Sequence, residues 1–244
     1  WPVFYADNHL LVLYKPAGLP AQGDASGDPC LLDLARGWVR ERYQKPGNVF
    51  LGLVHRLDRP VAGVMLFART SKAAARLSAA FRSRQTRKRY LAILEGRLPA
   101  PAGILTHHIE RHERTSRIVP GPTPTSREAR LSYRVLATAA GRSLVSVALE
   151  TGRRHQIRLQ VAYLGCPILG DLRYGAPAPL PSRQIALFAR ELSVEHPTRG
   201  ERLTFTAPLP VGWLWPGFSA DAGAPLWNWV DYQLPSPTAS GPGI

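Results

Sequence analysis

The sequence has few cysteines, few acidic residues and no long apolar run. Its 244 residues include two cysteines, Cys30 and Cys166, which excludes a secreted scaffold held by several disulfides and leaves a cysteine-based zinc site short of ligands. So few cysteines favour a reducing compartment, and we expect a cytoplasmic protein. The 17 acidic residues face 31 Lys and Arg, for a formal net charge of +14. This basic excess indicates a polyanionic partner, bound through its phosphates.

Other absences exclude whole classes of function. No apolar run approaches the roughly 20 residues of a membrane helix, and no signal peptide is visible, so we expect no membrane partner. The sequence has no Gly-Lys pair for a phosphate-binding P-loop, no Gly-x-Gly-x-x-Gly and no Gly-x-Ser-x-Gly. ATP, NAD and serine-hydrolase chemistry are therefore disfavoured.

The composition is that of a folded chain. A hydrophobic fraction of 45% with 20% charged residues is typical of a globular domain. Several short strands and few helices predict one α+β domain around a largely antiparallel mixed sheet with flanking helices. We expect this domain over residues 1–210. The Trp/Pro-rich tail over residues 211–244 is expected to be a packing arm or partly disordered, and not a second domain.

Capping signals place three helices. Asp28, followed by a proline, predicts the start of the first helix. Thr70 or Ser71 caps the second. Residues 154–164 predict the third, with Gly165 as its end.

Alternating patterns and polar stretches place several further elements. Residues 130–137 and 143–150 alternate as a hairpin, with Gly141 at its turn. Residues 185–189 predict a late strand. Residues 99–127 are polar and rich in Pro, His and Arg, and we expect a loop there with at most a short strand.

Positive charge is concentrated in three stretches, within residues 82–89, 111–117 and 153–158. Any one of them could be an ordinary solvated face. The three together, with the net charge of +14, favour nucleic-acid binding.

Asp58 is the most informative carboxylate, because it lies on a predicted loop between Arg56 and Arg59. A carboxylate flanked by cations should stay ionised, which suits a nucleophile or a base and makes a poor general acid. On spacing alone, the simpler hypothesis is that Asp58 pairs with a neighbouring arginine and fixes the loop. No second acid is expected near it, which argues against a two-carboxylate glycosidase.

Four sequence blocks, in the same order along the chain, resemble the RluA family of RNA pseudouridine synthases. Residues 55–58 read His-Arg-Leu-Asp, and residues 15–18 read Lys-Pro-Ala-Gly. Residues 88–96 match a Lys-x-Tyr-x-Ala block. Residues 151–158 match Thr-Gly-Arg-x-His-Gln-Ile-Arg, with a tail that reaches Gly-Asp and Tyr-Gly within residues 170–175. One block is moderately specific, whereas four in register are difficult to obtain by chance.

The resemblance implies an enzyme that isomerises a chosen uridine to pseudouridine after flipping it out of the RNA. It makes Asp58, Tyr90 and Arg158 the candidate catalytic residues: the reactive carboxylate, the ring that stacks on the base, and the partner of the aspartate. Arg56 corresponds to a residue that fills the space of the flipped base, and Leu187 to an apolar contact. Attack on C1′, attack on the base ring and removal of a sugar proton all stay open as the role of the anion.

Further expectations concern the RNA. Arg154, Arg87 and Lys88 are predicted to bind it, and the family reaction needs no metal and no organic cofactor. Without the resemblance, Tyr90 would be interpreted as core, and the same holds for Leu187. Arg56 and Arg158 would be simple phosphate contacts.

The chain departs from many relatives in two places. Val61-Ala62 stands where they carry Thr-Ser, which puts the local hydrogen bonding in question. No S4-like RNA-binding domain is visible, so we expect the basic surface, the polar stretch 99–127 or a missing segment to select the substrate. The expected partner is structured RNA, ribosomal or transfer, bound by a monomer. The alternative is a catalytically silent RNA-binding or folding factor on the same scaffold; a nuclease or glycosidase is a weaker third.

Overall fold

Over the residues that it describes, the computed structural model of the protein is built on one sheet of 11 strands with four α-helices beside it. These residues are 2–112, 115–181, 184–217, 219–220 and 223–233. The strands are β1 (Val3–Ala6), β2 (Leu10–Lys15), β3 (Gly52–Leu53), β4 (Ala62–Ala68), β5 (Arg87–Glu95), β6 (Ala102–His112), β7 (Thr115–Val119), β8 (Arg127–Ala139), β9 (Arg142–Leu149), β10 (Leu187–Glu195) and β11 (Arg202–Thr206). The helices are α1 (Leu31–Arg42), α2 (Ser71–Arg82), α3 (Gln156–Tyr163) and α4 (Trp229–Gln233), and a 3₁₀ turn covers Leu172–Tyr174.

The strand order confirms the α+β prediction. The strands follow one another as β1-β2-β4-β10-β5-β9-β8-β6-β7, with β3 paired to β4 and β11 to β10. Among the described strands, β10 and β4 form the one parallel pair. Strands β2 and β4 are buried along their whole length, so their apolar runs lie in the centre of the core.

Gly63 allows the parallel pair to form. Its φ is +133°, and a Cβ at this position would lie 2.3 Å from the backbone oxygen of Ala189. No side chain fits in that space, because the atom it would meet belongs to the backbone. Gly63 lies opposite Ala189 in the register, so the start of β10 is held beside the loop that carries Asp58.

Two of the predicted helix starts can be compared directly with the structure. Thr70 caps α2 as predicted, because its hydroxyl oxygen accepts the N–H of Ala73 at 3.1 Å. The predicted start at Asp28 is wrong: α1 begins at Leu31, and the Asp28 carboxylate accepts a hydrogen bond from Arg59 at 2.5 Å. An ion pair with a distant segment therefore replaces the helix cap. Of the described helices, none is long and apolar enough to cross a membrane.

Helix α3 begins two residues later than predicted. The residue before it, His155, has φ 55° and ψ 22°, which is the left-handed region and cannot continue a right-handed helix. Arg154 therefore lies ahead of the helix. At the other end Gly165, with φ +75°, follows the last turn as predicted.

The prediction of a loop over residues 99–127 is wrong. Much of this stretch forms β6 and β7, which pair with each other and, through β6, with β8. Only two side chains of β6, Leu105 and Ile109, are fully buried, because the hairpin lies at the edge of the sheet. Backbone pairing holds such a strand without the apolar alternation that would have revealed it.

The remaining predictions on strands and on the tail have mixed outcomes. The hairpin of β8 and β9 is confirmed, with Gly141 at its turn at φ +75°. The late strand is longer than predicted and begins at Leu187. In the tail, Trp213 and Trp227 are buried with ring centroids 5.3 Å apart, so its described part packs on the core. The end of the tail, residues 234–244, lies outside the described residues.

Candidate active site

A cleft of about 570 Å³ opens beside the loop between β3 and β4. Six of the eight residues predicted from the sequence line it, namely Arg56, Asp58, Lys88, Tyr90, Arg158 and Leu187. Arg154 lines a second cavity instead, which Asp58, Arg56 and Arg158 also border. Arg87 lines neither cavity and is exposed at the start of β5.

One oxygen of Asp58 receives the contacts from α3. Arg158 donates from Nη1 to Oδ2 at 3.0 Å, and Nε2 of His155 lies 3.6 Å from the same oxygen. Oδ1 has no hydrogen-bond partner within the described part of the chain. The carbonyl of Asp58 accepts the N–H of Val61 at 3.0 Å, so a backbone hydrogen bond closes the loop. The carboxylate therefore has one held oxygen and one free oxygen.

Arg158 binds two carboxylates at once. Its Nε and Nη2 donate to the two oxygens of Asp171, both at 2.7 Å, while Nη1 reaches Asp58. The prediction that no second acid lies nearby is therefore wrong, and the bidentate pair is with Asp171. Burial works to lower the pKa of Arg158, but the hydrogen bonds and charges of Asp171 and Asp58 outweigh it and raise that pKa. The guanidinium therefore stays charged.

His155 is held from behind by Tyr174. Its Nδ1 lies 2.7 Å from the Tyr174 hydroxyl oxygen, which also accepts the N–H of Ser116 at 3.3 Å. Burial lowers the pKa of His155 to about 4, nearby arginines act in the same direction, and Asp58 opposes them. The ring is therefore neutral at pH 7, with one N–H to direct.

The loop with Asp58 is anchored from below by Lys15. This side chain is fully buried and donates from Nζ to the carbonyls of Pro16, Leu19 and Arg59, at 3.0, 2.8 and 3.2 Å. Burial lowers the pKa of Lys15 to about 7, against the charge of Asp58, which raises it. Lys15 thus joins the Lys-Pro-Ala-Gly turn to the residue that follows Asp58.

His55 has a structural place in the same loop. Its Nε2 accepts the N–H of Leu66 at 2.9 Å, and its ring stacks on Phe81 with centroids 4.8 Å apart. Burial, with a smaller effect from Lys88, lowers its pKa to about 3. A neutral ring with an occupied Nε2 fixes the strand-to-loop junction.

Tyr90 and Leu187 form an apolar wall on adjacent strands. Tyr90 lies on β5 opposite Ala189, and Leu187 begins β10 opposite Ala92. Burial raises the pKa of Tyr90, and the charge of Asp58 adds to this, so the hydroxyl stays protonated. A ring and a branched aliphatic side chain beside an anion suit a flat, uncharged base.

The rim of the cleft is cationic. It carries Arg56, Arg82, Arg84, Lys88 and Arg153. Burial lowers the pKa of Lys88, and the charge of Arg153 contributes. Within the described ranges, no carboxylate pairs with Arg56, Arg82, Arg84 or Lys88. This positive rim is suited to phosphates.

Sequence reasoning missed three residues of this site: His155, Asp171 and Tyr174. All three lie in the quoted blocks, so their positions were visible in the sequence. Their partners were not, because Asp171 lies 13 residues from Arg158 and reaches it through a turn. Across the described chain, no cluster of three or more His, Cys, Asp or Glu side chains is placed to hold a metal ion.

Known proteins resemble the chain in sequence over most of its length. It is 35% identical over 222 residues to ribosomal large subunit pseudouridine synthase D of Nitrosomonas europaea, which covers 85% of this chain and 62% of that protein. The uncharacterized RNA pseudouridine synthases YhcT and YjbO of Bacillus subtilis are 34% and 35% identical, with 86% and 85% of this chain covered. The chain spans 68% and 72% of those two proteins.

A solved structure and a family model agree with these matches. The structure of human RNA pseudouridylate synthase domain containing 4 superposes with a TM-score of 0.73 at 27% identity, and covers 86% of this chain and 88% of that one. Residues 9–163 match the family model described as RNA pseudouridylate synthase. The chain therefore belongs to the RluA family of RNA pseudouridine synthases.

Proposed function

We propose that this protein isomerises chosen uridines of ribosomal RNA to pseudouridine, with Asp58 as the catalytic carboxylate. The observation that carries the proposal is the convergence of Asp58, Tyr90, Arg158 and Leu187 on one cleft. Its volume of about 570 Å³ lies within the usual range for small-molecule and cofactor sites. Relatives named as ribosomal large subunit synthases support ribosomal RNA as the substrate class.

The reaction breaks the C1′–N1 bond of uridine, turns the released uracil and forms a C1′–C5 bond. The hydrogen on C5 leaves as a proton, and N1 takes up a proton in its place, so the product is an isomer of uridine. The target atom is inaccessible in a stacked helix, so the nucleotide must first flip out. Arg56 is exposed at the mouth of the cleft, where its side chain can fill the space of the flipped base.

The geometry around Asp58 supports a division of work between its oxygens. Arg158 holds Oδ2 through a charge-assisted hydrogen bond, so Oδ1 is the oxygen that acts on the nucleotide. Tyr90 stacks on the flipped base, and Leu187 supports it from the neighbouring strand. A ring face allows the freed uracil to turn in its own plane while it stays bound.

The RNA backbone lies along the cationic rim in this proposal. Lys88 serves from within the cleft, Arg154 from the adjoining cavity and Arg87 from the exposed end of β5. We propose that the protein acts as a monomer. We place the reaction in the cytoplasm, together with its RNA.

The test combines mapping of the modification with release of label. Pseudouridines are mapped across total RNA from cells with and without the gene, which identifies the RNA and the position. Purified protein is then given that RNA labelled with tritium at C5 of uridine. We expect tritium release by the wild type and a loss of about 10³-fold or more for Asp58→Asn.

Asp33→Asn is the matched control, since its side chain is 65% exposed and pairs with Arg36 on α1, away from the cleft. Binding of RNA without release of tritium by the wild type would instead support the catalytically silent RNA-binding factor. Release by Asp58→Asn at the wild-type rate would remove Asp58 from the reaction.

A further inference from the structure

The segment that follows α3 has no role in the function proposed so far. Residues 170–175 read Gly-Asp-Leu-Arg-Tyr-Gly, and both glycines have positive φ, +86° and +94°. A Cβ at Gly170 would lie 2.9 Å from the backbone oxygen of Gln184, so this end of the turn is tightly fitted. Asp171 directly precedes the 3₁₀ turn and Tyr174 ends it, and their side chains contact Arg158 and His155.

We propose that this turn, residues 170–175, positions the catalytic carboxylate, with Asp171 and Tyr174 as its positioning residues. The proposal rests on the proposed function, because it explains how that function's Asp58 is oriented. Neither residue contacts Asp58. Arg158 and His155 do contact Asp58. Asp171 binds Arg158, and Tyr174 binds His155.

Asp171 controls which part of the Arg158 fork is left for Asp58. It accepts from Nε and Nη2, both at 2.7 Å, and only Nη1 remains directed at Oδ2. Without the second carboxylate, Arg158 could turn and bind both oxygens of Asp58, since a planar fork prefers a bidentate partner. Asp171 therefore keeps Oδ1 free for the nucleotide.

Tyr174 controls the proton of His155. Its hydroxyl accepts the N–H of Ser116, so its own proton can turn toward Nδ1 of His155 at 2.7 Å. The single N–H of the neutral ring then lies on Nε2, 3.6 Å from Oδ2 of Asp58. This distance is longer than a hydrogen bond, so the N–H acts through its dipole and favours the same orientation of the carboxylate.

Asp171 and Tyr174 thus both act, through Arg158 and His155, on Oδ2 of Asp58. The ring of Tyr174 also lies under the Arg158 guanidinium, with 5.1 Å between the guanidinium carbon and the ring centroid. Asp171 is 1% exposed and cannot contact RNA directly. A role in positioning therefore predicts a change in turnover with little change in RNA binding.

The experiment compares Asp171→Asn and Tyr174→Phe with wild type in multiple-turnover tritium release at saturating concentrations of the mapped RNA, which gives kcat. We expect kcat to fall about 100-fold for Asp171→Asn, as a misplacement of about 1 Å can cost. For Tyr174→Phe we expect a fall of about fivefold, from one lost neutral hydrogen bond. RNA dissociation constants should change by less than about twofold in both, a split between kcat and binding that unfolding would not produce.

Matched controls separate the turn from the substitution itself. Asp33→Asn removes a carboxylate from an exposed Arg–Asp pair, and Tyr43→Phe removes an exposed hydroxyl while it keeps the ring under Arg69. Thermal melting identifies any variant that fails to fold, and Tyr174→Phe, which changes one atom, keeps the test informative if Asp171→Asn unfolds. Wild-type kcat in folded Asp171→Asn or Tyr174→Phe would overturn the proposal. An inactive wild type would instead contradict the proposed function.

Discussion

The two sides of Asp58 differ in how their charges are satisfied. Behind the carboxylate, the buried ionisable groups have named partners: Lys15 has three carbonyls, and Arg158 has two carboxylates. In front, Arg56 and Arg82 form no ion pair with a carboxylate of the described residues, and Glu150, which lines the same cleft, pairs with Arg130. The difference predicts that the groups behind Asp58 hold their positions without a ligand, whereas the arginines in front bind an anionic ligand.

The strongest test of the rear framework is Arg158→Lys. Lysine keeps the charge but has no fork, so it cannot bind Asp171 and Asp58 together. We expect turnover to fall about 100-fold, measured by tritium release, with RNA affinity little changed. The control is Arg36→Lys on α1, which pairs with Asp33 at 2.9 Å in the open. Turnover by Arg158→Lys at the wild-type rate would mean that charge alone is sufficient.

A second test concerns the apolar wall at the border of the two sides. Tyr90→Ala removes the ring expected to stack on the base, and base stacking is worth about 1–3 kcal/mol. We expect a loss of about 5- to 150-fold in kcat/KM, whereas Tyr90→Phe should keep most of the activity. Equal losses in the two variants would transfer the role to the hydroxyl, whose pKa is raised by burial and by Asp58.

The front of the cleft is tested by its salt dependence. Each phosphate contact contributes close to one to the slope of log affinity against log salt. Arg82→Ala and Arg84→Ala should each reduce that slope by about one and weaken RNA binding about equally for all sequences, since both side chains line the cleft. Arg40→Ala is the matched control, because Arg40 lies exposed in the last turn of α1 just as Arg82 does in α2. An unchanged slope in the two cleft variants would argue against phosphates on this rim.

The smallest effect expected is on stability in acid. His55 has its pKa lowered by burial from 6.5 to about 3, so the unfolded chain takes up a proton there before the folded chain does. Stability from this residue is complete above about pH 6.5 and is lost as the pH falls toward 3. His55→Gln can still accept the N–H of Leu66 and does not titrate. Its urea midpoint should vary less between neutral and mildly acidic pH, and an equally steep variation would contradict this assignment.

The sequence predicted the elements whose signals are local. The Thr70 cap, the hairpin turn at Gly141 and the end of α3 at Gly165 each depend on a few neighbouring residues, and all three are confirmed. The prediction of a loop over residues 99–127 was wrong because edge strands are held by backbone pairing, and their side chains need not alternate in polarity. The prediction that Asp28 caps α1 was wrong because its carboxylate accepts a hydrogen bond from Arg59, which is distant in sequence.

In the site, the sequence identified residues better than it identified their contacts. Six of the eight predicted residues line the cleft, since the motifs give their positions along the chain. The expected contact between Arg158 and Asp58 is present, but the bidentate contact is with Asp171. The sequence does not reveal it, because which carboxylate takes both donors depends on angles and distances in the folded chain. The sequence therefore shows Asp171 as part of a motif, but it does not show that Asp171 is the second carboxylate bound by Arg158.

Gly63 brings a consequence for which residues can ever occupy that position. A Cβ there would meet backbone atoms of Ala189 at 2.3 and 2.6 Å, and the φ of +133° is disfavoured for every residue that has one. In a library with all twenty amino acids at position 63, selection for folded protein should return glycine alone. Val61 and Ala62 already carry a Cβ, but both are buried in the core, so the same library at these two positions should return small apolar residues, with glycine alone between them and Val64.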